Sequence, residues 1–548
     1  MKYSLLIFLF VSNVFISCSQ KKNDDPLQNP IVVLALANEL TKPRTCDEGK
    51  TDPLLTDQWH LDNNGSLYSA VMGEDAKVKP VWQQGNRGDG ILISVVDDGL
   101  DEVHEDLKAA IHPTIKGLNY AIGSYTSSQH TQSSSAHGTS VAGVAAGRGG
   151  NGIGISGAAP CAQIVGRGIL EGGLNTLSEA EAMTKDTKSI HVSNNSWGAA
   201  DNTGQLFPSN STWQAAIEEG LKEGRDGKGT IYLWAAGNGG KPSASSSVEI
   251  DNSNYDGQAN FYGVMAICGV GVNGKRAFYS EKGANLWVCA HTQGDDGTQA
   301  TVAITTTDPT GEAGYNNGSN SNNLSNPNYT KLFNGTSSAA PLASGVVALL
   351  LKSKPELGWR DVREILAKSA RKNDPTDSDW TTNAAGYNIN HKYGFGTIDA
   401  DKAVDLAKNW TLIASLLQTD TTNETTLTNI PDNDLTGIEV STTYSGNIKK
   451  LEFLDINVTS DHTYHGDLTF TLTSPSGTKS VLSEQHICYS GDNQTNCNGF
   501  TGTKTFRFSS ARHLGEDPNG TWKLKAVDGY SGDTGKFKYS LKFYGRAN

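Results

Sequence analysis

Positive charge is what this sequence has too little of. Lys and Arg number 45 against 58 Asp and Glu, a formal net charge of −13 over 548 residues. A nucleic-acid-binding surface needs a cationic face, so that class is excluded. Cation sites and basic substrates remain compatible with the acidity. Long apolar runs are missing too. The run from Leu5 to Ile16 is too short to cross a bilayer as a mature helix, which takes about 20 residues. Apolar residues make up 36% and charged residues 19%, the balance of a folded chain rather than a disordered or multi-span one. Cysteine is scarce, and its count of seven is odd. Glycine is plentiful, and 60 of them imply many tight turns.

Lys2 followed by Leu5–Ile16 has the layout of a secretory signal over residues 1–17. Phe15-Ile16-Ser17-Cys18 resembles a relaxed bacterial lipobox, which implies lipidation of Cys18 and attachment of an exported lipoprotein to a membrane or the cell surface; simple secretion is the alternative. Residues 18–50 then read as a lipidated tether or short pro-segment. Export permits disulfides. With Cys18 acylated, six cysteines remain and allow 15 pairings, of which Cys488–Cys497, flanking a short polar loop, is the simplest.

Length alone suggests about three or four domains, but the texture of the chain divides it into two. Residues 51–409 alternate buried strand runs, such as Ile91–Val96 and Thr230–Ala236, with helical patterns, which argues for an α/β layer fold. Trp213–Leu221 reads as an amphipathic helix capped by Ser211 or Thr212. Tyr315–Tyr329, rich in Asn, Ser and Gly, reads as an exposed loop. From 410 to 548 the period changes to two. Phe537, Tyr539, Leu541 and Phe543 alternate with polar residues, as do Trp522, Leu524 and Ala526, which predicts an all-β sandwich.

Three glycine-flanked polar segments carry chemistry. The strand ending at Val96 delivers Asp97-Asp98-Gly99; His137-Gly138-Thr139-Ser140 follows; Gly335-Thr336-Ser337-Ser338 comes much later. A serine hydroxyl is a weak nucleophile and needs an imidazole base, and the imidazole needs a carboxylate to hold its tautomer. Ser337 is expected to open a helix, because Ala339–Lys352 is long and apolar, and a helix N-terminus favours developing negative charge.

The order Asp97, His137, Ser337 with these flanks resembles the subtilisin-like serine proteases over about residues 51–409. The resemblance implies a parallel-sheet α/β catalytic domain with helices on both faces. It also implies an oxyanion donor at Asn238, within Ala235–Gly240. Gly152-Ile153-Gly154-Ile155-Ser156-Gly157 matches a dinucleotide fingerprint in letters only, since a helix leads into it and a strand follows. It resembles the family's calcium loop instead, with Asn151 and the carbonyls of Gly149, Ile153 and Ile155 as ligands, joined by Asp52 and Asp106.

Finer detail resembles the kexin/furin branch. Ser196-Trp197-Gly198 resembles its S1 wall, and Asp201 and Asp256 its pocket acids, which would pair with Arg or Lys at P1 of a peptide or protein substrate. Asp251 and Glu281, with Asp201, match ligands of a second Ca2+. Asp98 and Glu179 are candidates for S2 and S4 by position. His465-Gly466-Asp467, Ser474–Thr478 and Asp517–Trp522 resemble the P (Homo B) domain of that branch, a jelly-roll-like sandwich that would cover apolar surface of the protease domain. Two features depart from the branch. Residues 19–50 are fewer than its inhibitory prosegment, and Ser134 stands where its dibasic readers have an acid, so a basic P1 is expected more strongly than a dibasic pair. The combined expectation is an exported, monomeric, calcium-dependent serine endopeptidase. The alternatives are a surface adhesin on a protease scaffold and a broad-specificity degradative subtilase.

Overall fold

The computed structural model describes residue 46 and residues 49–67, 70–243, 246–294, 302–418, 421–490 and 493–547. The expected signal sequence, Cys18 and most of the expected tether lie outside the described residues.

The apolar runs of the first part form strands of one sheet: β1 (Leu92–Asp97), β2 (Leu118–Asn119), β3 (Gln163–Gly168), β4 (Val192–Asn195), β5 (Ile231–Ala235), β6 (Val264–Val270) and β7 (Leu286–His291). Their spatial order is β2-β3-β1-β4-β5-β6-β7, and every pair is parallel. A parallel sheet must be covered on both faces. The covering helices include α1 (Val78–Gln83), α2 (His137–Ala146), α3 (Thr176–Thr184), α4 (Ser211–Gly227), α5 (Thr336–Ser353), α6 (Trp359–Ser369) and α7 (Ala400–Lys408).

The alternation of side chains along β5 shows how the cover divides. Tyr232 donates its hydroxyl to the Met183 carbonyl of α3, and Trp234 packs edge-on against Trp213 of α4. On the opposite face, Asn194 of β4, in register with Leu233, accepts from Ser344 of α5. Helices on both faces are therefore present as expected.

The cap of α4 is neither Ser211 nor Thr212. Asn210 keeps an extended backbone and accepts from the Trp213 N–H at 2.8 Å, whereas Ser211 is already inside the helix. The Asn-rich loop lies between β8 (Ile304–Thr307) and β9 (Tyr329–Phe333) and is largely exposed. It hangs from buried Asn316, whose NH2 donates to the carbonyls of Leu324, Asn326 and Tyr329. A small hairpin, β10 (Thr381–Thr382) and β11 (Asn388–Ile389), follows α6.

The C-terminal part is a sandwich of antiparallel strands. One sheet holds β12 (Leu417–Gln418), β13 (Thr428–Ile430), β15 (Lys450–Ser460), β20 (Lys504–Ser510) and β22 (Gly535–Arg546). The other holds β14 (Asp434–Tyr444), β16 (Leu468–Thr473), β17 (Lys479–Ser483) and β21 (Gly520–Asp528). A separate pair, β18 (Cys488–Ser490) and β19 (Asn493–Thr495), makes a short hairpin. The alternating residues of β21 and β22, from Trp522 and Leu524 to Leu541 and Phe543, fill the core between the sheets.

Both domains belong to one compact unit that begins at Cys46. Phe453, Leu514 and Tyr544 of the second domain join the core of the first, and Tyr255 and Ala284 of the first join the core of the second. Tyr262 stacks on Tyr544 with ring centroids 4.1 Å apart. Three disulfides pair the six remaining cysteines: Cys46–Cys161, Cys268–Cys289 between β6 and β7, and Cys488–Cys497.

Candidate active site

Asp97 ends β1 and is fully buried. Its Oδ1 accepts from His137 Nδ1 at 2.8 Å. A carboxylate only accepts, so the proton sits on Nδ1 and Nε2 is left as the basic nitrogen. Burial pulls the imidazole down, but the Asp97 charge and hydrogen bond, with Asp98 behind them, outweigh it and hold His137 above the ordinary histidine value.

His137 is the first residue of α2, and the helix takes no side-chain cap from its own N-cap residue, Ala136. Asp98 supplies one: its Oδ2 accepts from the His137 N–H at 3.1 Å and its Oδ1 from the Gly138 N–H at 2.8 Å. Its carboxylate thus holds the helix that carries His137, and burial together with the Asp97 charge raises its pKa. Gly138 is dictated by space, since a Cβ there would lie 2.2 Å from the Gly99 carbonyl oxygen.

Ser337 is the second residue of α5, where the sequence places it. Its hydroxyl donates to the Ser196 carbonyl at 3.2 Å. Ser196 Oγ in turn donates to the Ser337 carbonyl at 3.0 Å, tying the end of β4 to the start of the helix. Asn238 follows β5, and its side-chain oxygen accepts from the Thr336 N–H at 2.7 Å and the Thr336 hydroxyl at 2.9 Å. His137, Asn238 and Ser337 line one cavity together with Tyr315 and Phe333. The Phe333 ring stands against the imidazole, 5.5 Å between centroids. Thr336 stands in the glycine-flanked segment read from sequence but carries no role of its own there, and nothing in the sequence signals that Tyr315 and Phe333 line this cavity.

A second cavity, of about 250 Å³, shares Ser337 and Asn238 with the first. Ser196, Trp197, Gly198, Asp201, Asp251, Asp256 and Glu281 all line it. Glycines let the acids in: a Cβ on Gly198 would lie 2.5 Å from Asp256 Oδ2, and one on Gly237 would lie 2.2 Å from Glu281 Oε1. Backbone amides orient the carboxylates. Asn238 N–H donates to Asp201, Gly204 N–H to Asp251, Gly239 N–H to Glu281, and Ala199 N–H to Asp256. Burial raises all four pKa values. Asp251, Asp256 and Glu281 are raised further by the neighbouring carboxylates, Glu281 most of all. Glu179 is not part of this cavity; it stands on α3, 3.4 Å from Asn210 Nδ2.

The residues expected at the first calcium loop also come together. Asp106 Oδ1 accepts from Asn151 Nδ2, and Oδ2 from the Ile155 N–H, each at 2.8 Å. Burial pushes Asp106 up to about 7, with Asp52 adding to the rise. The carbonyls of Gly150 and Gly154 accept backbone hydrogen bonds, whereas those of Gly149, Ile153 and Ile155 accept none among the described residues. Carbonyls free of backbone partners beside a buried carboxylate form the all-oxygen donor set that calcium takes. Asp52 fits less well as a ligand, because its oxygens already accept from Gly150, Asn151, Gly152 and Ser156. Asn151 donates its NH2 to Asp106 and accepts from the Ile153 N–H, an orientation that a ligand role for its oxygen would reverse. The acids of the second cavity are likewise an all-oxygen set, and a cation would relieve their mutual repulsion.

Residues 88–396 match the subtilase (Peptidase_S8) model, and residues 451–543 match the proprotein convertase P-domain. The chain belongs to the subtilase family. This subtilase is 32% identical over 482 residues to a PC3-like endoprotease (variant B) of Hydra vulgaris, covering 87% of this chain and 63% of that relative. It is 31% identical to a dibasic-processing endoprotease of Schizosaccharomyces pombe over 88% of this chain and 63% of the relative. With human furin it shares 30% identity over 95% of this chain and 62% of furin. The chain thus spans less than two thirds of the length of these relatives. Among solved structures, the serine protease of Aeromonas sobria in complex with its chaperone superposes with a TM-score of 0.80 at 26% identity, covering 91% of this chain and 95% of the other.

Proposed function

We propose that this subtilase is an exported, calcium-dependent serine endopeptidase that cleaves peptide bonds after Arg or Lys. The observation that carries the reading is the shared wall of two cavities: Ser337 and Asn238 border both the space beside His137 and the space lined by the four acids.

Rotation about the Cα–Cβ bond of Ser337 would exchange the Ser196 carbonyl for His137 Nε2, an apo-to-bound adjustment common in such sites. Nε2 then takes the hydroxyl proton as Oγ attacks the scissile carbonyl carbon. Asp97 stabilises the imidazolium that forms, which is the physical content of the raised His137 pKa. Asn238, its amide oxygen fixed by Thr336, offers its NH2 to the tetrahedral oxyanion at the N-terminal end of α5. His137 returns the proton to the leaving amine, and water repeats the sequence on the acyl-enzyme.

A guanidinium or ammonium at P1 would meet Asp256 and Asp201 in the acid-lined cavity. Calcium, held by Asp201, Asp251 and Glu281 at one site and by Asp106 with the Gly149–Ile155 loop at the other, would supply compensating positive charge. Relatives named as a furin and as a dibasic-processing endoprotease support a basic preference. Strict dibasic selection is not part of the proposal, because Asp98 caps α2 and position 134 is Ser. Export with lipidation of Cys18 belongs to the proposal on the sequence alone; the intact mass of the mature protein tests it.

The decisive experiment is a fluorogenic peptide panel varied at P1, with Ser337→Ala as the control. Faster cleavage after Arg and Lys is expected, with no activity and no fluorophosphonate labelling in the variant. Equal cleavage after Leu and Phe would defeat the P1 reading, and full activity in Ser337→Ala would defeat the nucleophile.

A further inference from the structure

The loop that follows Asp201 is joined to the C-terminal domain residue by residue. The Thr203 carbonyl accepts from the Tyr489 N–H at 2.8 Å, Gln205 Nε2 donates to the Asn496 carbonyl at 3.4 Å, and Leu206 packs on the sandwich core. Gly204 lies at the centre. Its carbonyl oxygen stands 3.1 Å from His465 Nε2 and 2.8 Å from His486 Nε2, both imidazoles being buried in the second domain. His465 Nδ1 accepts from the Gly499 N–H, so the ring proton is on Nε2 and donates to Gly204. His486 Nδ1 lies 2.6 Å from the Glu484 carbonyl, so this neutral ring has one proton to share between the Glu484 and Gly204 oxygens, and His465 is the fixed donor. Burial lowers the pKa of both histidines.

The other end of the same residue reaches the acid cavity. The Gly204 N–H donates to Asp251 Oδ1 at 2.5 Å, and the Thr203 N–H donates to Oδ2 at 3.3 Å. One residue therefore links an acid of that cavity to two histidines of the second domain. Only glycine fits there: φ is +66°, and a Cβ would lie 2.6 Å from the Ile487 carbonyl oxygen and 2.8 Å from His486 Cδ2.

His465, His486, Cys488 and Cys497 also have donor atoms all within 4.8 Å of one another, the spacing of a metal centre. Two features exclude that reading. Cys488 and Cys497 are joined as a disulfide, and the point on which His465 Nε2, His486 Nε2 and Cys488 Sγ converge is filled by the Gly204 oxygen, 3.2 Å from the sulfur.

We propose that His465 and His486 are positioning residues for the P1 pocket. His465 by donating to the Gly204 carbonyl, and His486 by standing against the same oxygen, set the amides that orient Asp251, and through it the charge arrangement that the Asp201–Asp256 cavity presents to a basic side chain. This rests on reading that cavity as the P1 pocket.

The test compares two double variants of the full chain. Gln at both positions keeps a donor near the place of Nε2; Met at both keeps the length and removes the donor. Peptides identical except for Arg or Leu at P1 are the substrates. The double Gln variant is expected to stay within about twofold of the parent. The double Met variant is expected to raise KM for the Arg peptide roughly fivefold or more, with kcat within about twofold, and to lower the Arg-to-Leu ratio. The rate of fluorophosphonate labelling at Ser337 reports an intact catalytic centre. A double Met variant that labels at the parental rate and keeps the parental ratio overturns the proposal. So does a variant pair that loses labelling and both activities in step, which would be general structural support. A parent that does not prefer Arg fails the P1 reading itself, and that result is in hand before any variant is compared.

Discussion

The side-chain oxygen of Asn238 accepts two hydrogen bonds from Thr336, 2.7 Å from its N–H and 2.9 Å from its hydroxyl. The residue before Ser337 thereby fixes the amide plane of the proposed oxyanion donor, and a donor that needs no reorganisation in the transition state is worth more than a mobile one. Asn238→Ala is expected to lower kcat by roughly 10²–10³ with KM little changed. Thr336→Val keeps the N–H contact and removes the hydroxyl, so a loss of about tenfold is expected, falling again on kcat. Steady-state kinetics on one peptide decide both. A loss confined to KM would remove the oxyanion role.

His137 titrates above the ordinary histidine value because the Asp97 charge and hydrogen bond overcome burial. Catalysis needs the neutral ring, so kcat/KM is expected to fall as pH drops through a value above about 6.5. The stability linkage runs the other way. The Asp97–His137 contact contributes fully below the unfolded histidine value and is lost as pH rises through the folded one. Asp97→Asn is expected to lower kcat by about 10⁴ and to move the acid limb to lower pH. A limb that stays in place would show that another group controls it.

Much of this site was legible because chemistry leaves few choices. An acid, a base and a nucleophile must each sit beside small residues, and the helix that Ser337 opens follows from the apolar run behind it. The period-two patterns of β21 and β22 likewise specify which residues face the sandwich core. What was not legible depends on contacts between distant segments. Asp98 reads as a subsite acid by position; that its oxygens also accept from the amides of His137 and Gly138 is an arrangement set by how the end of β1 meets α2. Asn210 outcompetes Ser211 and Thr212 as a cap through one residue of backbone geometry. Gly204 looks like any loop glycine until the two domains are brought together.

Calcium removal separates the two acid sites. Asp106 is raised to about 7 at the first loop, while Asp251 and Glu281 are raised beside the acid-lined cavity. Exhaustive chelation is expected to lower Tm and abolish selectivity for basic P1. A ligand at 100 times its Kd contributes about 2.7 kcal/mol. Asp106→Asn should raise the calcium concentration needed for thermal stability and leave the Arg-to-Leu ratio alone, whereas Glu281→Gln should reduce that ratio. Thermal melts and peptide rates across a calcium titration read both. Unchanged melting and activity after chelation would exclude calcium from either site.

The two domains are expected to unfold as one. Tyr544 of β22 stacks on Tyr262 and donates its hydroxyl to Asp455 Oδ2 at 2.8 Å, and Arg546 and Arg360 pair with Glu364 and Glu452 across the same boundary. Tyr544→Ala would open a cavity in the catalytic core and take a donor from a buried carboxylate whose pKa burial already raises. Loss of a buried large aromatic costs about 3–5 kcal/mol. Denaturant unfolding should keep a single transition with its midpoint moved well down. A chain ending near residue 410 would expose the Tyr262 surface and is expected to aggregate rather than fold. Two resolved transitions in the parent, or a stable soluble catalytic fragment, would show that the second domain is an appendage and not part of the protease core.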